Sequence, residues 1–293
     1  MSDQTNLYMR LGLLLALLLL PACVYAQERV SVSGRIVNEK GEAVEYVQVG
    51  VSKRGIGTVS SVDGRFEINV PADTLEFHHV SYETGFYPVS GPREDVLIVL
   101  KESELPPAVF IDGDAREKYL LRAGTKIPGA AGGFSFEGEV VKGMELGSVA
   151  NARKPFLVKD ILFTVNSNHI PGCVVEFNIY RIEGEPESFV NILHKPVYVS
   201  VALSDEVQEF DVRPEDTILL EPGRYFVAFA IVDCDMDAVR KLLETPESER
   251  DPLAMHLYTS LYFKSSYLRS TALGELKHFP VNIGISVKGL EYQ

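Results

Sequence analysis

The chain has 293 residues, with 41 acidic against 28 basic side chains and a formal net charge of −13. Such a surface is repelled by a phosphate backbone and does not seek anionic lipid, which excludes general nucleic-acid binding. Hydrophobic residues make up 46%, enough for a full core, and the length suits one large domain or two ordinary ones.

Leu11 to Leu20 is a run of Leu, Ala and one Gly. It is too short to span a bilayer, which needs about 20 apolar residues, but it has the length of a secretion-signal core. Arg10 precedes it, and Val24-Tyr25-Ala26 sets small residues at the −3 and −1 positions of a cut before Gln27. Residues 1–26 are therefore expected to be an export signal. A rival end exists: Leu20-Pro21-Ala22-Cys23 is similar to a lipobox, in which Cys23 would carry a lipid anchor. On either reading the mature chain is exported, to the periplasm or the outer membrane and cell surface, with no transmembrane span. Two further cysteines, Cys173 and Cys234, could form a disulfide in that compartment or remain buried thiols.

From Val30 onward short strands follow closely. Val30 to Ser33 alternates apolar and polar residues, and Val47, Val49 and Val51 fall on one face. Asp63-Gly64 predicts a hairpin turn, and Phe66, Ile68 and Val70 then alternate inward. Leu75, Phe77 and His79 continue the pattern, and Val96 to Leu100 is expected to close it as a buried strand. Turn signals at such short intervals indicate a β-sandwich.

These residues carry a resemblance. Val32-Ser33-Gly34-Arg35-Ile36-Val37-Asn38, Gly41, Val44, Val47, Val49, Gly57-Thr58 and Asp63-Gly64-Arg65-Phe66, with Thr74 to Phe77 and Ser81-Tyr82, resemble the carboxypeptidase regulatory-like domain. The resemblance implies a seven-stranded, transthyretin-like sandwich over 27–101, of the kind found in bacterial envelope proteins and acting as a non-catalytic module. Ala43 and Ser61 depart from its usual proline and aspartate.

Leu105-Pro106-Pro107 interrupts regular pairing. Residues 102–142 are read as a linker, with a short helix at Ala115 to Leu121 and a Gly-rich loop at Pro128 to Gly133. Residues 143–293 are read as a larger β-sandwich, with the jelly roll one candidate topology. Its strands are Phe156–Val165, Val174–Ile182, Val197–Leu203, Tyr225–Val232, Met255–Phe263 and Val281–Val287, and its helix is Asp237–Glu244. The fold class is thus all-β.

No catalytic, cofactor or metal constellation emerges. No H-E-x-x-H occurs, and His78-His79, adjacent on a strand, points to opposite faces. Gly133-Phe134-Ser135-Phe136-Glu137 fails the nucleophile-elbow pattern at its last position. Asp233, Asp235, Asp237 and Glu244 occupy positions 1, 3, 5 and 12 of a calcium loop, but Ala238 replaces the required glycine. The alternative is an acidic turn whose last aspartate caps the helix. Tyr258, Tyr262, Phe263 and Tyr267 form either a sugar platform or core. The leading expectation is a non-enzymatic envelope protein that binds, assists or assembles. A carbohydrate-binding protein using the C-terminal sandwich comes next, and a hydrolase with an unrecognised site third.

Overall fold

The computed structural model describes residues 29–104, 113–124, 126–260, 266–279 and 282–293. The export segment with Cys23, the Leu105-Pro106-Pro107 join, and Tyr262 and Phe263 lie outside the described residues.

The N-terminal sandwich consists of β1 (Arg29–Asn38), β2 (Gln48–Val51), β3 (Ile56–Val59), β4 (Arg65–Pro71), β5 (Asp73–His78), β6 (Gly85–Val89) and β7 (Arg93–Leu100). They form a three-stranded sheet, β4-β1-β7, against a four-stranded sheet, β3-β2-β5-β6. This is the expected seven-stranded sandwich. The alternating residues meet between the sheets: Val32, Ile36, Phe66 and Ile68 pack with Val49, Leu75 and Phe77. Burying each such side chain is worth about 2 kcal/mol.

Two local expectations need correction. Val96 to Leu100 is not buried throughout: Ile98 and Leu100 face the core, while Leu97 and Val99 are 63% and 56% exposed. Leu97 and Val99 lie on the outer face of the three-stranded sheet, opposite the face that Ile98 and Leu100 turn to the core. Asp63-Gly64 does not join two paired strands, because β3 and β4 belong to different sheets. The turn instead closes through Gly64 N–H donating to Ser61 O, with positive φ at Gly64, and carries the chain from one sheet to the other.

The C-terminal sandwich begins earlier than its sequence suggests. Ala115 to Leu121 is a strand (β8), not a helix, paired with the last strand of the chain. The Gly-rich stretch is no loop but lies within β9 (Lys126–Phe136). Then follow β10 (Glu145–Ala152), β11 (Phe156–Asn168), β12 (Cys173–Glu183), β13 (Ser188–Asn191), β14 (Val197–Val201), β15 (Gln208–Val212), β16 (Ile218–Leu220) and β17 (Gly223–Asp233). After helix α1 (Met236–Leu243) come β18 (Leu253–Ser260), β19 (Ser266–Arg269), β20 (Lys277–Phe279), β21 (Asn282–Ile283) and β22 (Ile285–Tyr292).

One sheet runs β13-β12-β17-β10-β19-β20, with β14 also on β12; the other runs β21-β18-β11-β22-β8, with β9, β15 and β16 attached. Phe134, Phe156, Phe163, Phe177 and Phe229 fill the space between them. Tyr267 is buried against the outer face of the first of these sheets, and the Tyr258 hydroxyl donates to Gly124 O at 2.8 Å. Neither forms an exposed platform.

α1 starts one residue earlier than expected because its cap is Asp235, whose carboxylate accepts from Ala238 N–H at 2.9 Å. Glu244 is the residue that ends it.

Alternation dictates what remains on the outer face of the sheet containing β12 and β17. Val175, Phe177 and Ile179 point into the sandwich, so Val174, Glu176, Asn178 and Tyr180 point away from it. Yet Glu176, Asn178 and Tyr180 are buried. The N-terminal sandwich covers part of this face. Tyr46 and Val59 from that sandwich pack with Ala230, Val232 and Ala272. Tyr46 meets Tyr198 edge-on, with ring centroids 4.9 Å apart. Gly57 allows the closest approach, since a Cβ there would lie 1.9 Å from Ala272 O. Ser81 Oγ donates to His194 O at 2.9 Å, and Thr271 Oγ1 donates to Gly55 O at 3.0 Å.

Candidate functional site

Where the two sandwiches face each other they leave a cleft of about 480 Å3. One wall is the outer face of β2 and β5. Gln48 pairs with His78, and Gly50 with Glu76, on the face opposite Val49 and Phe77. The other wall is the outer face of β12 and the end of β19, with Phe189 and Asn191 from β13 and the segment from Leu273 to Leu276.

Strand register builds the floor. Arg269 lies opposite Glu145, Glu145 opposite Ala230, and Ala230 opposite Glu176, so four residues form one row across β19, β10, β17 and β12. Small residues at Gly147, Ala228 and Ala230 leave room above the sheet for the longer polar side chains beside them. Glu145 collects most of the contacts. It accepts from Asn178 Nδ2 at 2.9 Å and from the Tyr180 hydroxyl at 3.0 Å. Arg269 Nε lies 2.7 Å from its Oε2, but the N–H is not aligned on the oxygen, so this contact is an ion pair rather than a hydrogen bond. The guanidinium also lies over the Tyr180 ring. Asn191 Nδ2 donates to Asn178 Oδ1 at 2.7 Å and extends the network to the cleft wall.

Burial, with Glu145 as a neighbouring carboxylate, pushes the Glu176 carboxyl up to about 8. On the facing wall Glu76 accepts from Ser52 Oγ at 2.5 Å and lies 3.1 Å from His78 Nε2. Its own pKa is lowered: burial works against that, and the bonds from Ser52 and His78 outweigh it. Burial holds His79 down at about 4, with its Nε2 3.3 Å from the Tyr198 hydroxyl. His78, the last residue of β5, and His79, just beyond it, both line the cleft but have different partners, Glu76 and Tyr198.

Two non-glycine residues with positive φ flank the cleft, Tyr46 at 52° and Leu273 at 57°. Bulky residues avoid this region, and such conformations cluster at functional sites. Across the same junction lies a larger groove of about 1040 Å3, lined by Arg35, Arg65, Glu67 and Arg240 among others. It is open and those side chains are exposed, whereas the cleft gathers buried polar groups.

The calcium-loop residues are otherwise engaged. Asp233 pairs with Lys142 at 2.6 Å, Asp235 caps α1, and Asp237 pairs with Arg240 at 3.0 Å. No metal-binding group of three His, Cys, Asp or Glu side chains occurs among the described residues. Cys173 and Cys234 flank the paired Val174 and Asp233 but are separate, buried thiols rather than a disulfide. Burial pushes them up to about 12 and about 11.

No motif or spacing singles out Glu145, Glu176 or Arg269. The available signal was Glu176, Asn178 and Tyr180, three polar-headed residues alternating with Val175, Phe177 and Ile179. It reads as a strand with a wet face, but Phe226, Tyr267, Phe189 and Leu276 of the same sandwich cover Tyr180, and the N-terminal sandwich covers the neighbouring Ala230 and Val232.

This is a two-sandwich β protein whose smaller domain has the strand number and pairing of a transthyretin-like module. Residues 32–107 match the model of the CarboxypepD_reg-like domain, and the N-terminal sandwich is a domain of that kind. No curated protein matches the sequence. Among solved structures, a DUF3823 family protein from Bacteroides ovatus is 9% identical over 69% of this chain and 97% of its own, with a TM-score of 0.21. A DUF3823 family protein from Parabacteroides merdae is 10% identical over 87% and 98%, with a TM-score of 0.21. The infectious bursal disease virus Gx strain structure is 13% identical over 93% of this chain and 58% of its own, with a TM-score of 0.30. Scores this low do not establish a shared fold.

Proposed function

We propose that the chain is an exported, non-enzymatic envelope protein that binds a ligand in the cleft between its two sandwiches. The observation that carries this reading is the composition of the cleft. Its walls come from both domains, and two of the polar groups that line it, Tyr180 and Arg269, are tied to Glu145 beneath the floor rather than left free to react. A regulatory-like domain contributing one wall fits a module that supplies contacts rather than chemistry. The export signal supports an envelope location, and no helix among the described residues is long and apolar enough to cross a membrane. Intact-mass measurement of the mature chain separates a Gln27 start from a lipidated Cys23.

The binding test uses residues 27–293 and isolated cell envelopes. Saturable binding is expected, and Thr84→Trp, which fills the cleft mouth from an exposed position, abolishes it without changing Tm. Binding that survives this substitution overturns the reading. The hydrolase reading has one observation in its favour, the presence of a neutral Glu176 and an ionised Glu76 on one cleft. Turnover of chromogenic glycosides, esters or peptides that disappears in Glu176→Gln would establish it instead.

A further inference from the structure

The cleft that carries the binding reading also has a definite chemical character. An ionic ligand needs an uncompensated charge to meet it, because desolvating an ion without a partner is prohibitive. The ionised groups of this cleft are already matched. Glu76 is held by Ser52 and His78, and Arg269 by Glu145. His79 is neutral and lies against Tyr198. Tyr46 is turned to Asp233, which also pairs with Lys142. Glu176, neutral below about pH 8, adds a hydroxyl and a carbonyl to the floor rather than a charge.

What remains for a ligand is polar without being charged. The side chains of Gln48 and Thr84 line the cleft and make no hydrogen bond with another described residue. Opposite them, Phe189, Leu193 and Leu276 give an apolar strip. An amide and a hydroxyl facing an apolar strip, in a space of about 480 Å3, suit a ring that is hydroxylated at its edges and C–H-bearing on its faces. A volume of this order takes one or two such rings.

We propose that the interdomain cleft binds a neutral sugar unit of a glycan, its hydroxyl edge toward Gln48 and Thr84 and its C–H face toward Phe189 and Leu276. This rests on the binding reading above and moves glycan recognition from the C-terminal sandwich alone to the junction of both domains. Most of the hydrogen-bonding groups sit on the regulatory-like domain, so neither sandwich holds the ligand by itself.

The test is a glycan array with neutral, uronate- or sulfate-bearing, and amino-sugar members, probed with residues 27–293, followed by calorimetric titration of the hits. Neutral glycans bind, with an affinity that does not fall as salt is raised. Gln48→Ala weakens binding about tenfold, the effect of one hydrogen bond, and Thr84→Trp removes it, each with Tm unchanged. If only charged glycans bind through the same cleft, or binding falls with salt, the neutral-sugar assignment is wrong while the binding reading stands. If no glycan binds but envelope material still binds in a Thr84→Trp-sensitive way, the assignment is again wrong and the reading stands. If nothing binds, both fall.

Discussion

Glu145 and Glu176 lie in one row across the sheet, two strands apart, with only the methyl of Ala230 between them. Both are buried, and the one guanidinium in the row, Arg269, pairs with Glu145. Two like charges cannot share a dry site on these terms, and Glu176 keeps its proton up to about pH 8.

That proton makes stability depend on pH in a direction opposite to the usual carboxylate. Glu176 moves from 4.5 to about 8 in the folded protein. Between those values the folded state holds a proton that the unfolded chain releases, so stability is full below about pH 4.5 and is lost as pH rises to about 8. Glu176→Gln, which keeps shape and hydrogen bonding, should raise stability at pH 8 by on the order of a few kcal/mol. Urea denaturation across pH 5 to about pH 8 should show the wild type declining relative to the variant. Parallel pH profiles would show that Glu176 is ionised in the fold.

His79 acts in the opposite sense. Burial lowers it from 6.5 to about 4, so the folded state lacks a proton that the unfolded chain takes up. Its contribution is present above about pH 6.5 and is lost as pH falls to about 4. His79→Gln should remove that loss and flatten the acid limb of a Tm-versus-pH curve. The Glu76–His78 pair and the ring of Tyr82, 5.2 Å from His79, remain in the variant, so a persisting acid limb would assign it to other groups.

How much of this could be read from the chain depended on whether the cause was local. The N-terminal sandwich was legible because Phe66, Ile68 and Val70 alternate and Gly64 needs positive φ, both short-range signals. Ala115 to Leu121 was misread because Ala, Glu, Lys and Leu favour helix, while pairing with β22, far along the chain, makes it a strand. The Gly-rich stretch was misread for a related reason: a Cβ on Gly133 would lie 2.1 Å from Met255 O, so glycine there permits close strand contact rather than mobility. The row of Glu145, Glu176 and Arg269 was invisible because its members come from three strands far apart in the chain and meet only through the register of the sheet.

Removing one member of that row should be far costlier than removing a pair. Arg269→Ala leaves Glu145 buried and unpaired, with an expected loss of about 3–5 kcal/mol. The double variant Glu145→Gln/Arg269→Met removes both charges and should recover much of that loss. Chemical denaturation of Glu145→Gln, Arg269→Met and the double variant measures the coupling. Additive losses would mean that the ion pair, 2.7 Å in length, contributes little.

Calcium should have no effect on Tm, because Asp233, Asp235 and Asp237 are committed to Lys142, the α1 N-terminus and Arg240. Asp235→Ala should instead cost about 1 kcal/mol through loss of the cap, equally with calcium or with a chelator. A calcium-dependent rise in Tm that Asp235→Ala abolishes would reverse this assignment.

Gly57 tests the junction itself. A methyl there would meet Ala272 O at 1.9 Å, and because that atom is backbone it cannot swing aside. Gly57→Ala should therefore force the sandwiches apart locally and cost about 1–3 kcal/mol, the range for overpacking. Gly91 supplies the control, since a Cβ there meets nothing within 4 Å and its φ lies outside the left-handed range. Gly91→Ala should change stability by less than about 0.5 kcal/mol. The effect at Gly57 should also reach the cleft, because Ala272 adjoins Leu273 and Gly274 on its wall. Calorimetric unfolding together with ligand titration separates the two consequences: a Gly57→Ala protein that melts lower yet binds normally would show that the cleft does not depend on how tightly the sandwiches meet.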